Sequence, residues 1–192
     1  MSPSLKIVGI AASLRSGSYS QIVLDAIASL LPMGTKIDRL NMGTLPHYNE
    51  DFEHARVPRS VEQARANVVA SDAIVIVTPE FNHGLPGVLK NMLDWLSRPA
   101  FDSCMLGKPV FFVTLSPGGL GGVRAQYQLR ETLASMLCQL VALPEIAITY
   151  IGTKVQDGVL TDPATISFIN KSLEQFLAVV TQSVAIDVGV VA

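Results

Sequence analysis

Short runs of β-branched and other apolar residues alternate along this chain with stretches whose apolar positions recur every three or four residues. "LKIVGIA" (5–11) is apolar at almost every position, the pattern of a strand buried on both faces. Residues 20–31 then place Ile22, Val23, Ala26, Ile27 and Leu30 on one side of a helix. "KIDRL" (36–40) alternates weakly and predicts an edge strand. After an irregular segment, 58–70 fits a helix that opens with Pro58 and Ser60. "DAIVIVT" (72–78) is the clearest buried strand of the chain. Residues 86–97 predict a helix with Leu85, Leu89, Met92, Leu93 and Leu96 near one face. "KPVFFVTL" (108–115) predicts a further strand, 121–140 a longer helix, "EIAITYI" (145–151) the last strand and 163–182 the last helix.

Apolar strands that alternate with helices describe an α/β protein whose sheet is covered on both faces, hence parallel and doubly wound. The length of 192 residues, 49% of them apolar, suits one well-packed domain over 1–192, with no repeat, low-complexity tract or linker to divide it. A formal net charge of −2, scattered in both signs, gives no basic stripe for a nucleic acid or an anionic membrane. Cys104 and Cys138 form no C-x-x-C pair and read as reduced, buried thiols. "MSPSLKIVGI" lacks the basic and apolar regions of a signal peptide, and no window is long and apolar enough to span a membrane, so a cytoplasmic protein is expected. "VAIDVGVVA" (184–192) is apolar for a tail; packing on a neighbouring subunit and a loosely docked end are both compatible with it.

In an open parallel sheet, ligands lie beyond the carboxyl ends of the strands, near the point where strand order reverses. Three loops qualify, after residues 11, 78 and 115. The first, "SLRSGSYS" (13–20), sets Ser13, Ser16, Ser18, Tyr19 and Ser20 around Arg15 at the start of a helix, a donor set suited to a phosphate. It contains neither G-x-G-x-x-G nor G-x-x-x-x-G-K-[ST], which disfavours a dinucleotide turn and a nucleoside-triphosphate loop. A serine-rich turn with a helix N-cap gives the same letters. The second, from Thr78 to Leu96, is stiffened by Pro79 and Pro86, with Gly84 expected to permit a turn that other residues resist. Backbone groups at fixed positions suit a planar heterocycle; Glu80 and Asn82 read as a solvated carboxylate and a turn former rather than a catalytic pair. The third, "LSPGGLGGVRAQYQLR" (115–130), has four glycines around Leu120, either an anion nest or a flexible connection. Phosphate cradle, heterocycle platform and glycine floor at one sheet edge are what a mononucleotide such as FMN requires. His47, His54 and His83 have no metal-ligand spacing and read as loop histidines.

"SLRSGSYS", "LPHYNEDFE", "TPEFNHGLPGVLKNMLDWLSRP" and "SPGGLGGVRAQYQLR", in this order, resemble the NADPH-dependent FMN reductase family of the flavodoxin-like superfamily, over nearly all of residues 5–180. The resemblance implies a five-stranded sheet of order 2-1-3-4-5, with FMN as cofactor and NADPH or NADH as electron donor. It implies that Ser13, Arg15, Ser18, Tyr19 and Ser20 hold the FMN phosphate. Pro79, Glu80, Phe81 and Asn82, with Gly84 behind them, then border the isoalloxazine, and Ser116, Gly118 and Gly119 close its other side. The chain departs from the family at Ala12, often glycine, at Ser20, often asparagine, and at Phe81, often tyrosine. The implied reaction is a ping-pong, two-electron reduction of a small-molecule acceptor, whether quinone, azo compound, metal oxyanion or free flavin. The flavin N5 carries the hydride, and no side chain is assigned a catalytic role. The family also implies a homodimer or homotetramer, with Trp95 towards an interface, the 47–53 segment reaching a neighbour, and Arg124, Arg130 and Glu131 as inter-subunit ion pairs or a solvated face. The alternative is a flavodoxin-like electron carrier between protein partners; the mild net charge and the arginine in the phosphate loop favour the enzyme. A receiver-like signalling module is excluded, because Thr78 and Pro79 stand where it needs an aspartate.

Overall fold

A computed structural model describes residues 4–190. The first strand, β1 (Lys6–Ala11), leads through a loop into helix α1 (Tyr19–Leu30), and β2 (Lys36–Arg39) follows. A single 3-10 turn at Met42–Thr44 and a short helix α2 (Asp51–His54) occupy the irregular segment before α3 (Arg59–Val69). Then come β3 (Ala73–Pro79), α4 (Gly87–Leu96), β4 (Pro109–Leu115) and α5 (Val123–Ser135). Two short strands, β5 (Gln139–Leu140) and β6 (Ala147–Ile148), precede a hairpin of β7 (Val155–Gln156) and β8 (Val159–Leu160) and the long helix α6 (Pro163–Val190). The main sheet is parallel in the order β2-β1-β3-β4-β5, with β6 also paired to β4, so β5 and β6 share the fifth position. This is the expected order, reversing between β1 and β3.

The side-chain period of two divides each central strand between two cores. Val75 and Val77 of β3 join Ile7, Phe111 and Val113 in a core closed by α1 and α6, through Leu24, Ile27, Leu173 and Phe176. Ile74 and Ile76 face the other way, into a core with Leu89, Met92 and Leu93 of α4, Leu129 of α5 and Val68 of α3. Residues 73–77 are wholly buried, which is why that run reads as continuous apolar letters. On the edge strand β2 only Ile37 is partly covered.

The structure departs from the expected elements at four places. The helix over 121–140 stops at Ser135, because Leu137 turns left-handed (φ 59°) and Gln139 and Leu140 pair with Pro109 and Val110. The last strand is broken: only Ala147 and Ile148 pair, with Thr114 and Leu115, and the chain between β5 and β6 contains Pro144, which has no N–H to give a ladder. The hairpin over 155–160 was unforeseen although it turns on Asp157-Gly158, both left-handed (φ 50° and 77°), a strong two-residue turn signal. Helix α6 runs on to Val190 rather than ending at residue 182, so most of the apolar tail is helical and its last two residues lie outside the described part. No helix among the described residues is long and apolar enough to cross a membrane.

Candidate functional site

The three loops leave the carboxyl ends of β1, β3 and β4, neighbours in the sheet, and the N–H of Ala12 donates to the Val77 carbonyl (2.8 Å), tying the first to the second. In the first loop, the N–H of Ser18 donates to the Arg15 carbonyl (3.2 Å) and Gly17 is left-handed (φ 65°). Ser18 is the N-cap of α1, its Oγ accepting from the Gln21 N–H at 3.3 Å. The N–H groups of Ser16, Gly17, Tyr19 and Ser20 have no hydrogen-bond partner among the described residues. Arg15 is exposed, makes no ion pair among the described residues, and lies with its guanidinium carbon 5.8 Å from the Tyr19 ring centre. The Ser20 hydroxyl is buried without a hydrogen-bond partner among the described residues. Unpaired donors at a helix start, an exposed cation and an orphaned hydroxyl are a donor set with the chemistry to hold a dianion. A cavity of about 270 Å³ opens beside this loop on the β2 side, lined by Ser13, Gln21, Arg39 and Asn41 among others.

The second loop is a tight hairpin. The N–H of Phe81 donates to the Gly84 carbonyl (3.0 Å) and the N–H of Gly84 to the Phe81 carbonyl (2.9 Å), around a turn in which Asn82 and His83 are left-handed (φ 48° and 64°). Asn82 is therefore the turn former expected of it. Gly84 is not left-handed; what it supplies is space, because a Cβ there would lie 2.7 Å from the Gln128 Oε1. Glu80 is not solvated. Its Oε2 accepts from the backbone N–H groups of Arg124 (3.0 Å) and Ala125 (3.3 Å), and Oε1 lies 3.5 Å from the Arg124 guanidinium. The N-cap of α5 is Gly122, which has no side chain, so Glu80 caps that helix from another loop. Phe81, Asn82 and His83 project at the surface, Phe81 being 58% exposed.

In the third loop the four glycines divide. Gly121 and Gly122 are left-handed (φ 62° and 82°) and pack on the backbone of Ala147 and Leu115, a structural requirement. Gly118 and Gly119 are exposed, with Gly118 N–H donating to the Ser116 Oγ at 2.9 Å. A Cβ on Gly119 would lie 2.7 Å from the Tyr150 hydroxyl. Tyr150, 56% exposed and left-handed at φ 49°, thus borders this loop and was missed. The reading of 145–151 as one strand hid it, since β6 ends at Ile148 and leaves Tyr150 in the loop beyond.

Other expectations shift. Trp95 is fully buried within its own chain, its indole N–H donating to the Pro46 carbonyl (2.8 Å) and its ring edge-on to Tyr48 (5.0 Å). The 47–53 segment is fixed to α4 by the same set: the N–H of Tyr48 donates to Asn91 Oδ1 (2.7 Å), and Asn91 Nδ2 donates to Pro46 (2.9 Å). Within the chain, Arg124 lies 3.5 Å from Glu80 and Arg130 lies over the Phe112 ring at 5.2 Å. His47, His54 and His83 are exposed, and no group of metal-ligating side chains occurs among the described residues. Burial pushes the Cys104 thiol up to about 11 and that of Cys138 to about 12, the latter helped by nearby Cys104.

The sheet order and the loops at its switch point define a flavodoxin-like α/β protein. The model of the NADPH-dependent FMN reductase family matches residues 5–152, and the chain belongs to that family. It is 40% identical over 149 residues to an NAD(P)H-dependent FMN reductase of Pseudomonas aeruginosa, covering 78% of this chain and 80% of that protein. It is 35% identical over 180 residues to a quinone reductase of Escherichia coli, covering 92% and 95% of the two chains. Among solved structures it is similar to the flavoenzyme NAD(P)H:(acceptor) oxidoreductase FerB of Paracoccus denitrificans, with a TM-score of 0.84 and 30% identity over 93% of this chain and 98% of that one. The chain is accordingly a flavin-dependent oxidoreductase rather than an electron carrier between proteins.

Proposed function

We propose that the three loops form one FMN site and that the protein reduces quinones, with free flavin, azo compounds and metal oxyanions as further acceptors. The observation that carries this reading is the start of α1, where, among the described residues, four N–H groups are unpaired, an arginine has no ion pair and a buried hydroxyl has no partner. Arg15, Ser13, Ser18, Tyr19 and Ser20 hold the phosphate; Ser18 gives its oxygen to Gln21, which leaves its proton for the anion. Pro79, Glu80, Phe81, Asn82 and Gly84 border the ring on one side, and Ser116, Gly118 and Gly119 on the other. Within that set Glu80 acts through α5, since both its oxygens are engaged there. FMN, when bound, supplies two-electron hydride chemistry between NADPH or NADH and the acceptor. The residues of the chain bind and orient; none of them needs to move a proton. The exposed Phe81 and Tyr150 rings give planar, apolar flanks for a flat acceptor.

We further read 4–190 as one domain, because both cores share one sheet. Assembly as a homodimer or homotetramer is supported by apolar Phe101, Leu106 and Leu137, exposed after the ends of α4 and α5. The test is titration of the apoprotein with FMN, followed by anaerobic addition of NADPH. Wild-type protein takes up FMN and its visible absorbance bleaches. Arg15→Ala weakens FMN binding roughly 10- to 100-fold, the range of a charge-assisted hydrogen bond, with little change in melting temperature. Undiminished FMN affinity in that variant would remove the phosphate assignment.

A further inference from the structure

The hairpin at 81–84 is held to α5 at two points. Glu80 accounts for one. The other is Gln128, one turn further along the helix, whose Oε1 accepts the Leu85 N–H at 2.7 Å. The same oxygen stands 2.7 Å from where a Cβ on residue 84 would be, so position 84 is glycine to admit this amide. The acceptor must be the amide oxygen, because the NH2 group of a glutamine side chain only donates. Gln128 thus fills the space behind the turn that carries Phe81, Asn82 and His83.

We propose that Gln128 is a positioning residue. Its amide, seated in the space left by Gly84, fixes the hairpin against α5 and so sets the wall that borders the flavin ring. This rests on the FMN site proposed above. The pair works in series. A methyl group at position 84 meets only the end of a flexible side chain, so it ejects the Gln128 amide instead of disrupting the backbone. Residue 84 lies outside the left-handed region, so alanine is also compatible with the turn itself. Gly84→Ala and Gln128→Ala therefore remove the same hydrogen bond by different routes.

The experiment measures FMN dissociation constants and apoprotein melting temperatures for wild type, Gly84→Ala, Gln128→Ala, the double variant and Gln128→Glu. Each single alanine variant is expected to weaken FMN binding about two- to tenfold, the range of one hydrogen bond, while the melting temperature moves by only about 2 °C. The double variant matches either single one to within about twofold, since neighbours that share one interaction do not add. Gln128→Glu, which keeps an oxygen facing Leu85, restores most of the affinity. Additive losses in the double variant, or FMN affinity that does not change in Gln128→Ala, would overturn the proposal while leaving the FMN site in place. If the wild type takes up no FMN, the site reading fails and this inference fails with it.

Discussion

Ser20 separates what the fold needs from what a ligand needs. Its hydroxyl is buried in the first turn of α1 and finds no partner, a condition that costs about 1–3 kcal/mol in a protein interior. A purely structural position of this kind would be better filled by alanine. Ser20→Ala is therefore expected to stabilise the apoprotein, by about 2–4 °C in melting temperature for each kcal/mol recovered, and yet to weaken FMN binding. Thermal melts without FMN and a titration with it read the two effects separately. A variant that melts lower and binds FMN normally would show that the hydroxyl serves the fold. Glycines give a similar lesson. Gly121 and Gly122 meet sheet backbone, Gly84 meets a side chain, and Gly118 and Gly119 lie at the surface. The letters "GGLGG" name no such division; it depends on what lies opposite each position. Ser13, Arg15 and Ser18 can be proposed from the letters alone because their chemistry is local to one loop. The role of Glu80 cannot be read that way, because its partners are 44 and 45 residues away in sequence.

Glu80 also matters at the scale of the element. Helix α5 begins at a left-handed glycine with no side chain to cap it, and the carboxylate of another loop takes the first free N–H groups. Loss of a cap costs about 0.5–2 kcal/mol, so Glu80→Ala should lower the melting temperature by several degrees. If capping is its whole role, turnover at saturating FMN should change little, whereas loss of a general acid or base would cost roughly 100- to 10,000-fold. A melt and a steady-state assay of this one variant decide between the two. Elements themselves were legible where burial on both faces makes an unbroken apolar run, as in β1, β3 and β4. The fifth strand was not, because its ladder is interrupted and only two residues pair in each piece. Likewise the 47–53 segment reads as a surface loop until Asn91 and the buried Trp95 of α4 are seen to hold it through Tyr48 and the preceding Pro46.

Across the whole molecule, one sheet with a core on either face places the three loops at the same edge, and α5 latches the second to the third. Strand order was legible only through the family motifs, since composition and periodicity say nothing about which strands are neighbours. The two thiols lie away from that edge, with the core that α3, α4 and α5 close, and they supply a measure of global stability. Both are raised from an ordinary 9.0, Cys104 to about 11 and Cys138 to about 12, because burial disfavours the thiolate. A raised thiol pKa means that the unfolded chain gives up these protons first. The stabilisation is complete below about pH 9 and is lost as pH rises through the folded values. Cys138→Ala should therefore show a shallower fall in melting temperature between pH 9 and 12 than the wild type. The difference between the two curves reads the Cys138 thiol. Both cysteines are only partly covered, so at pH 7 to 8 it is the raised pKa that should keep thiol labelling of the native wild type slow and make it accelerate as pH rises. Rapid labelling of the native protein at neutral pH would mean that the thiolates form readily there and that burial does not raise their pKa.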